Sequence, residues 1–296
     1  MNTYILSCCT TADMTKDFYL KRDVHYICFH YSLDGQMYRD DLGETMSLSD
    51  FYTEMENGAD TKTSQVNVDE YIEFFTPFLE QGQDILHVCL SSGISGTYNS
   101  ATIAADMLHE KYPNRKIYVI DSLCASTGQG FLVAHLADLR DKGQSIDELN
   151  EWALAHRLEV HHFVFTTELK YLIRGGRVSK TAGTVAGILG VCPNIMVNRE
   201  GKLVSIGKSR SKKKALKDAC QYMLDHAING EQYNGKCFVS GAYCRDMVEE
   251  LADAVEQKFP NLKGKVELFD IGTAIGSHTG PGTVALFFLG DERTIS

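Results

Sequence analysis

A chain of 296 residues, 44% apolar and 23% charged, with a formal net charge of −10, has the composition of a folded protein of about two domains. Twenty-nine aromatic residues against five prolines and 25 glycines exclude intrinsic disorder, collagen-like repeats and low-complexity linkers. No apolar stretch approaches the ~20 residues that span a bilayer, the longest being Val284–Leu289 and the small-residue run Val185–Cys192.

In chain order, strand and helix alternate. Thr3–Cys9 and Val24–Phe29 read as short buried strands, and Asp34-Gly35 within SLDGQMYRDD reads as a hairpin turn. Ser47 caps a helix ending near Gly58, and Asn67 caps another that runs to Gly82. The strand DILHVCL (84–90) leads through SSGISG into a helix from Thr97 to Lys111. KIYVID (116–121) leads through SLCASTGQG into a helix over Phe131–Lys142. This β-loop-α repetition predicts a parallel sheet with helices on both faces. After about residue 160 the character changes. HHFVFTT, NIMVN and LVSIG are short strands, the last two joined by REGK. Helices Lys212–Ala227 and Arg245–Phe259 then alternate with strands Cys237–Gly241, Val266–Asp270 and Thr283–Leu289.

The predicted fold class is therefore α/β with two domains. Residues 1–160 form a three-layer α/β/α domain on a parallel sheet. Residues 161–296 form an α/β domain with a mixed sheet and helices on one side. Ligands in parallel sheets bind at the carboxyl ends of the strands, which directs attention to SSGISG and DSLCASTGQG.

The nine cysteines are scattered and odd in number, with no CxxC pair, and the ten histidines form no HExxH-type pattern. Reduced buried thiols in a cytoplasmic protein are expected, with no metal and no cofactor. The N-terminal MNTYILSCCTTADM has no basic leader before an apolar stretch, so no signal peptide is expected. The charge is unevenly spread: Lys170–Lys217 holds twelve Lys or Arg and one acid, Glu200, so +11 there stands against −21 elsewhere. Such a segment suits phosphates or an acidic partner. Without regular aromatic interleaving, and in an acidic chain, it does not suit nucleic acid.

In SSGISGT, Ser91 and Ser92 end a strand, Gly93 and Gly96 allow tight backbone, and Ser95 or Thr97 can cap the next helix. Hydroxyls and free N–H groups at a helix start suit a phosphate or carboxylate. The spacing breaks the GxSxG of a nucleophile elbow, GxxxxGK[ST] is absent, and Gly128-Gln129-Gly130 lacks the third glycine of GxGxxG. His278, before Gly280-Pro281-Gly282, reads as a loop histidine in a turn that can approach a ligand.

SSGISGTYNSA (91–101), YVIDS (118–122) with ASTGQG (125–130), LKYLIRGGRVS (169–179) and SHTGPGTVALFF (277–288) resemble the signature blocks of the DegV family. TSQ (63–65) and the loop Thr10–Asp13 fit the same pattern. The resemblance implies one long-chain fatty acid held between two domains, in a non-catalytic protein. It further implies that the carboxylate is presented to a separate ATP-binding fatty acid kinase subunit, which makes the acyl phosphate, with transient contact to a membrane surface. Carried over, the carboxylate would meet Thr63 and Ser95, with Ser92, Gly93, Gly96 and His278 close by. Arg174, Arg177 and Arg210 would face the kinase subunit. Three positions depart from the family: Cys9-Thr10 replaces Asp-Ser, Val66 a proline and Cys192-Pro193 Lys-Pro. The first removes a carboxylate near the site. Two other readings stand beside this one: a lipid carrier or sensor without a kinase, and a hydrolase or acyltransferase with Ser95 or Ser92 as nucleophile and His278 as base.

Overall fold

The computed structural model describes residues 3–178 and 191–294. Ser179 and Lys180 of the third block and basic segment, and residues 185–190 of the small-residue run, lie outside them. The chain opens with β1 (Tyr4–Cys9), α1 (Lys16–Lys21) and β2 (Val24–Ile27). The hairpin β3 (His30–Leu33) and β4 (Gln36–Arg39) follows, then α2 (Leu48–Glu56), β5 (Thr61–Ser64), α3 (Val68–Glu80) and β6 (Asp84–Cys89). The first half ends with α4 (Thr97–Lys111), β7 (Ile117–Asp121), α5 (Thr127–Asp141) and α6 (Ile146–His156). The second runs β8 (Val160–Phe165), α7 (Lys170–Arg174), β9 (Cys192–Val197), β10 (Leu203–Ser209), α8 (Lys212–His226) and β11 (Cys237–Gly241). It closes with α9 (Arg245–Lys258), β12 (Val266–Asp270), α10 (Thr273–Thr279) and β13 (Val284–Leu289). Among the described residues no helix is long and apolar enough to cross a membrane.

Local chemistry sets most boundaries. Asp34 and Gly35 both hold positive φ, 48° and 86°, as a two-residue hairpin turn requires. The Ser47 side chain accepts the Asp50 N–H at the start of α2, and Asn67 and Glu70 form a reciprocal capping box on α3. A second capping box, Ser145 with Glu148, starts α6, an element the sequence reading passes over.

The first sheet, in the order β2-β1-β6-β7, is wholly parallel, as expected. Alternation along β1 sends Ile5 and Cys9 to the core shared with α3 and α4, and Tyr4, Leu6 and Cys8 to the core shared with α5. The second sheet, β10-β9-β8-β13-β11-β12, is mixed, with β11 and β12 its parallel pair. The hairpin read from Asp34-Gly35 belongs to a third, antiparallel sheet, β4-β3-β5, whose third strand the sequence reading does not contain. Its β5 is only four residues, TKTS, and shows no apolar alternation.

Two expectations need correction. Helices do not cover the mixed sheet on one side alone. α8 and α9 pack on one face, while Phe131 of α5 packs with Phe238, Phe269 and Phe287 on the other, so α5 lies between the two sheets. Its burial on all sides explains why it carries no amphipathic stripe. In addition, α5 starts at Thr127 rather than Phe131. Gly128 and Gly130, which lower helix propensity, are inside it because the helix needs their missing side chains. A Cβ at 128 would lie 2.1 Å from His162 Nε2, and one at 130 would lie 2.5 Å from the Ala12 carbonyl oxygen.

Candidate functional site

Beyond the N-terminal end of α5 the two sheets part around a cavity of about 350 Å³. Apolar walls come from strands of the mixed sheet, including Val164, Ile195 and Phe287, and from the connections that follow strands of the parallel sheet, including Phe29, Leu90 and Ile94. Thr63, Gln65, Ser95, Ser126, His162, Arg177 and His278 bring polar groups to it. Of the residues singled out in the sequence, the structure brings Thr63, Ser95, His278 and Arg177 onto this wall. Ser92, Gly93, Gly96, Arg174 and Arg210 are not among its lining residues.

The Thr63–His278 pair joins β5 to α10, with Oγ1 and Nε2 2.6 Å apart. His278 is not in a loop: it occupies the last turn of α10. The Gly-Pro-Gly that follows hides this seven-residue helix from a sequence reading. Gly175, just after α7, lies so close that a Cβ there would be 2.2 Å from His278 Nδ1. Burial, with Arg177 and Arg174 adding positive charge, lowers the His278 pKa to about 4. The imidazole is therefore neutral at pH 7. With Nε2 carrying its proton, it donates to Thr63 Oγ1 and frees the threonine hydroxyl proton for a further acceptor.

The SSGISG loop divides its work. Ser91 Oγ accepts the Gly93 N–H at 3.1 Å and donates to the Gly201 carbonyl at 2.7 Å, pinning the β9–β10 turn to the end of β6. A Cβ on Gly93 would lie 2.6 Å from the Glu200 carbonyl oxygen, and one on Gly96 would meet Gln65 Oε1 at 2.6 Å. Ser92 gives both its N–H and its hydroxyl to Asp121. Ser95 Oγ accepts the Thr97 N–H at 3.2 Å, which leaves its own proton to donate. α4 thus starts after Gly96 with Ser95 at the cavity.

His162 on β8 and Ser126 were not anticipated. Ala125 N–H donates to His162 Nε2 at 3.2 Å and His162 Nδ1 meets the Val160 carbonyl at 3.0 Å, while burial pushes its pKa well down, so it is a neutral wall residue. Ser126, held at φ 54°, donates to the buried Asp13 at 2.5 Å. Asp13 also accepts the Gly272 N–H at 3.0 Å, and burial pushes its pKa well up. A carboxyl side chain thus stands behind the wall, four residues beyond the Cys9 position, with its acid form favoured by burial. In the sequence, the only sign was Asp13 closing the Thr10–Asp13 loop.

The basic segment is less free than its count suggests. Lys170, Lys202, Lys214 and Arg199 pair with Glu168, Glu200, Asp218 and Glu292. Arg174 bridges to Asp60 at 3.3 Å and donates to Thr61 Oγ1 at 2.9 Å. Arg177 turns inward, half-buried, and burial lowers its pKa. Arg210 is exposed. Catalytic geometry for a serine hydrolase is not formed, because His278 Nε2 is bonded to Thr63 while Ser92 and Ser95 bond to Asp121 and the Thr97 N–H.

The family described as "Uncharacterised protein, DegV family" matches residues 10–291. A DegV domain-containing protein of Clostridium perfringens is 35% identical over 293 residues, covering 99% of each chain. Among solved structures, a stearic acid-binding protein from Eubacterium ventriosum is 28% identical, with a TM-score of 0.85 over 97% of this chain and 98% of its own. The Streptococcus pneumoniae Fatty Acid Kinase (Fak) B3 protein, loaded with linoleic acid, is similar in fold, with a TM-score of 0.82 at 22% identity over 98% of this chain and all of its own.

Proposed function

The chain belongs to the DegV family, and from that premise we propose that it binds one long-chain fatty acid in the cavity between its two sheets, with the carboxylate at Thr63, Ser95 and His278. The observation that carries this reading is the pairing of an apolar cavity with a few neutral donors opening onto it. Burying the tail yields roughly 0.8 kcal/mol per CH₂. Burying the carboxylate requires donors, and the Thr63 and Ser95 hydroxyls each have a proton to give. Arg177 on the wall supplies countercharge without being the sole partner.

The same reading extends to presentation: the protein holds the acid while a separate ATP-binding subunit phosphorylates it, and Arg174 at the exposed edge assists. The likeness to the Fak B3 fold supports that extension. A carrier without a kinase would use the same cavity and differs only in lacking phosphorylation. The protein then acts in cytoplasm as a non-catalytic binding subunit.

Displacement of a fluorescent fatty acid by saturated acids of increasing length tests the tail site. Affinity should rise about fourfold per added CH₂ until the cavity is filled, at roughly 0.8 kcal/mol each. Affinity independent of chain length would overturn the assignment.

A further inference from the structure

The face of the parallel sheet under α3 and α4 carries four polar side chains in an otherwise apolar core. Ser7 and His87 are register partners on the adjacent strands β1 and β6, and Cys9 and Cys89 lie two residues further along each. The period of two puts all four on one face. All four are fully buried. Cys9 Sγ, Cys89 Sγ and a ring nitrogen of His87 lie within 4.8 Å of one another, with Cys9 Sγ 3.6 Å from His87 Nε2. Tyr71 of α3 closes the group, its hydroxyl 3.2 Å from Cys9 Sγ and 3.9 Å from Cys89 Sγ, and 2.8 Å from Thr97 Oγ1. Ser7 Oγ lies 2.9 Å from His87 Nδ1. With Nδ1–H donated to that hydroxyl, the Nε2 lone pair points to the sulfurs.

The Cys9–His87 distance of 3.6 Å is that of two ligands on one soft metal ion, and Cys89 Sγ stands within 4.8 Å of both. Ligands at about 2.3 Å (sulfur) and 2.0 Å (nitrogen) around a tetrahedral ion stand roughly 3.5–3.8 Å apart. Two thiolates and a neutral imidazole cancel a divalent charge, whereas a monovalent ion would leave net negative charge in the core. No carboxylate belongs to the cluster, which disfavours magnesium and calcium. A hydrogen-bonded outer partner on the free ring nitrogen is what metal-bound histidines ordinarily have. We propose that Cys9, His87 and Cys89 bind one zinc ion, with the Tyr71 hydroxyl facing the fourth position and Ser7 orienting the imidazole. No local motif signals it, because the ligands come from two strands nearly eighty residues apart. The inference is independent of the fatty acid reading.

The full chain, reduced and refolded with a chelator, is titrated with cobalt(II), then zinc. A thiolate-to-cobalt charge-transfer band should saturate at one equivalent and vanish when zinc displaces cobalt. Refolding with zinc should raise the thermal midpoint. Cys9→Ser and Cys89→Ser should lose the band. Ser7→Ala should weaken zinc binding about 10–100-fold. His226→Ala should leave the band unchanged, since the other candidate cluster among the described residues, His161, His226 and Asp291, has no sulfur. Absence of the band in the folded protein, or its persistence in a folded Cys variant, overturns the proposal. Should both Cys variants fail to fold, Ser7→Ala decides, and unchanged zinc affinity in it overturns the assignment.

Discussion

Replacing Thr63 by Val tests the proposed carboxylate contact. Valine keeps the shape and suits a strand, so β5 and its pairing with β3 remain. The substitution removes one hydroxyl proton offered to the ligand and strips His278 Nε2 of its partner at 2.6 Å. A hydrogen bond to a charged acceptor contributes about 1.5–3 kcal/mol, against about 1 kcal/mol for a neutral one. The fatty acid should therefore lose roughly ten- to a hundredfold in affinity. Its methyl ester, of the same length but uncharged, should lose no more than about fivefold. Calorimetric titration of both ligands against wild type and Thr63→Val gives the comparison. An equal loss for acid and ester would refute the reasoning, and so would an unchanged acid affinity.

His278 should titrate near pH 4 in the ligand-free protein, and a bound carboxylate, favouring the cation, should move it upward in an NMR titration; no upward shift would place the carboxylate elsewhere. Because its folded pKa lies below the ordinary 6.5, its contribution is complete above pH 6.5 and is lost as pH falls towards 4, about 3 kcal/mol in all. The difference in denaturant stability between wild type and His278→Gln should shrink over that window. Gly175→Ala drives a Cβ against His278 Nδ1, and should cost about 1–3 kcal/mol of stability and reduce the acid-over-ester preference. Gly176→Ala, with φ 70° and open space, should cost stability and leave that preference intact. Arg174→Ala should preserve fatty acid affinity and slow acyl-phosphate formation when an ATP-binding kinase subunit and ATP are added. Equal loss of both would count against its role at the edge.

Elements with their own chemical punctuation were legible in the sequence: the Asp34-Gly35 hairpin, the Ser47 and Asn67 caps, and α4 from Thr97 to Lys111. Elements defined by their neighbours were not. β5 is a strand only because β3 pairs with it, α10 is shorter than a readable period, and Gly128 and Gly130 look like a loop until His162 and Ala12 are beside them. The site follows the same division. Thr63, Ser95 and His278 come from positions far apart in the chain, so their grouping came from family resemblance rather than spacing. Ser92, Gly93 and Gly96 sit in the loop beside the cavity, yet their contacts with Asp121, the Glu200–Gly201 backbone and Gln65 shape it rather than line the cavity. By residue type alone Arg177 is one more outward charge. Its inward turn depends on the packing after α7, which no charge count carries.

Native mass spectrometry of freshly purified protein tests the central claim most directly. The expected result is a protein carrying one equivalent of a long-chain fatty acid, released on denaturation and replaced stoichiometrically by added acid. A protein that carries none and rejects added long-chain fatty acid would contradict it.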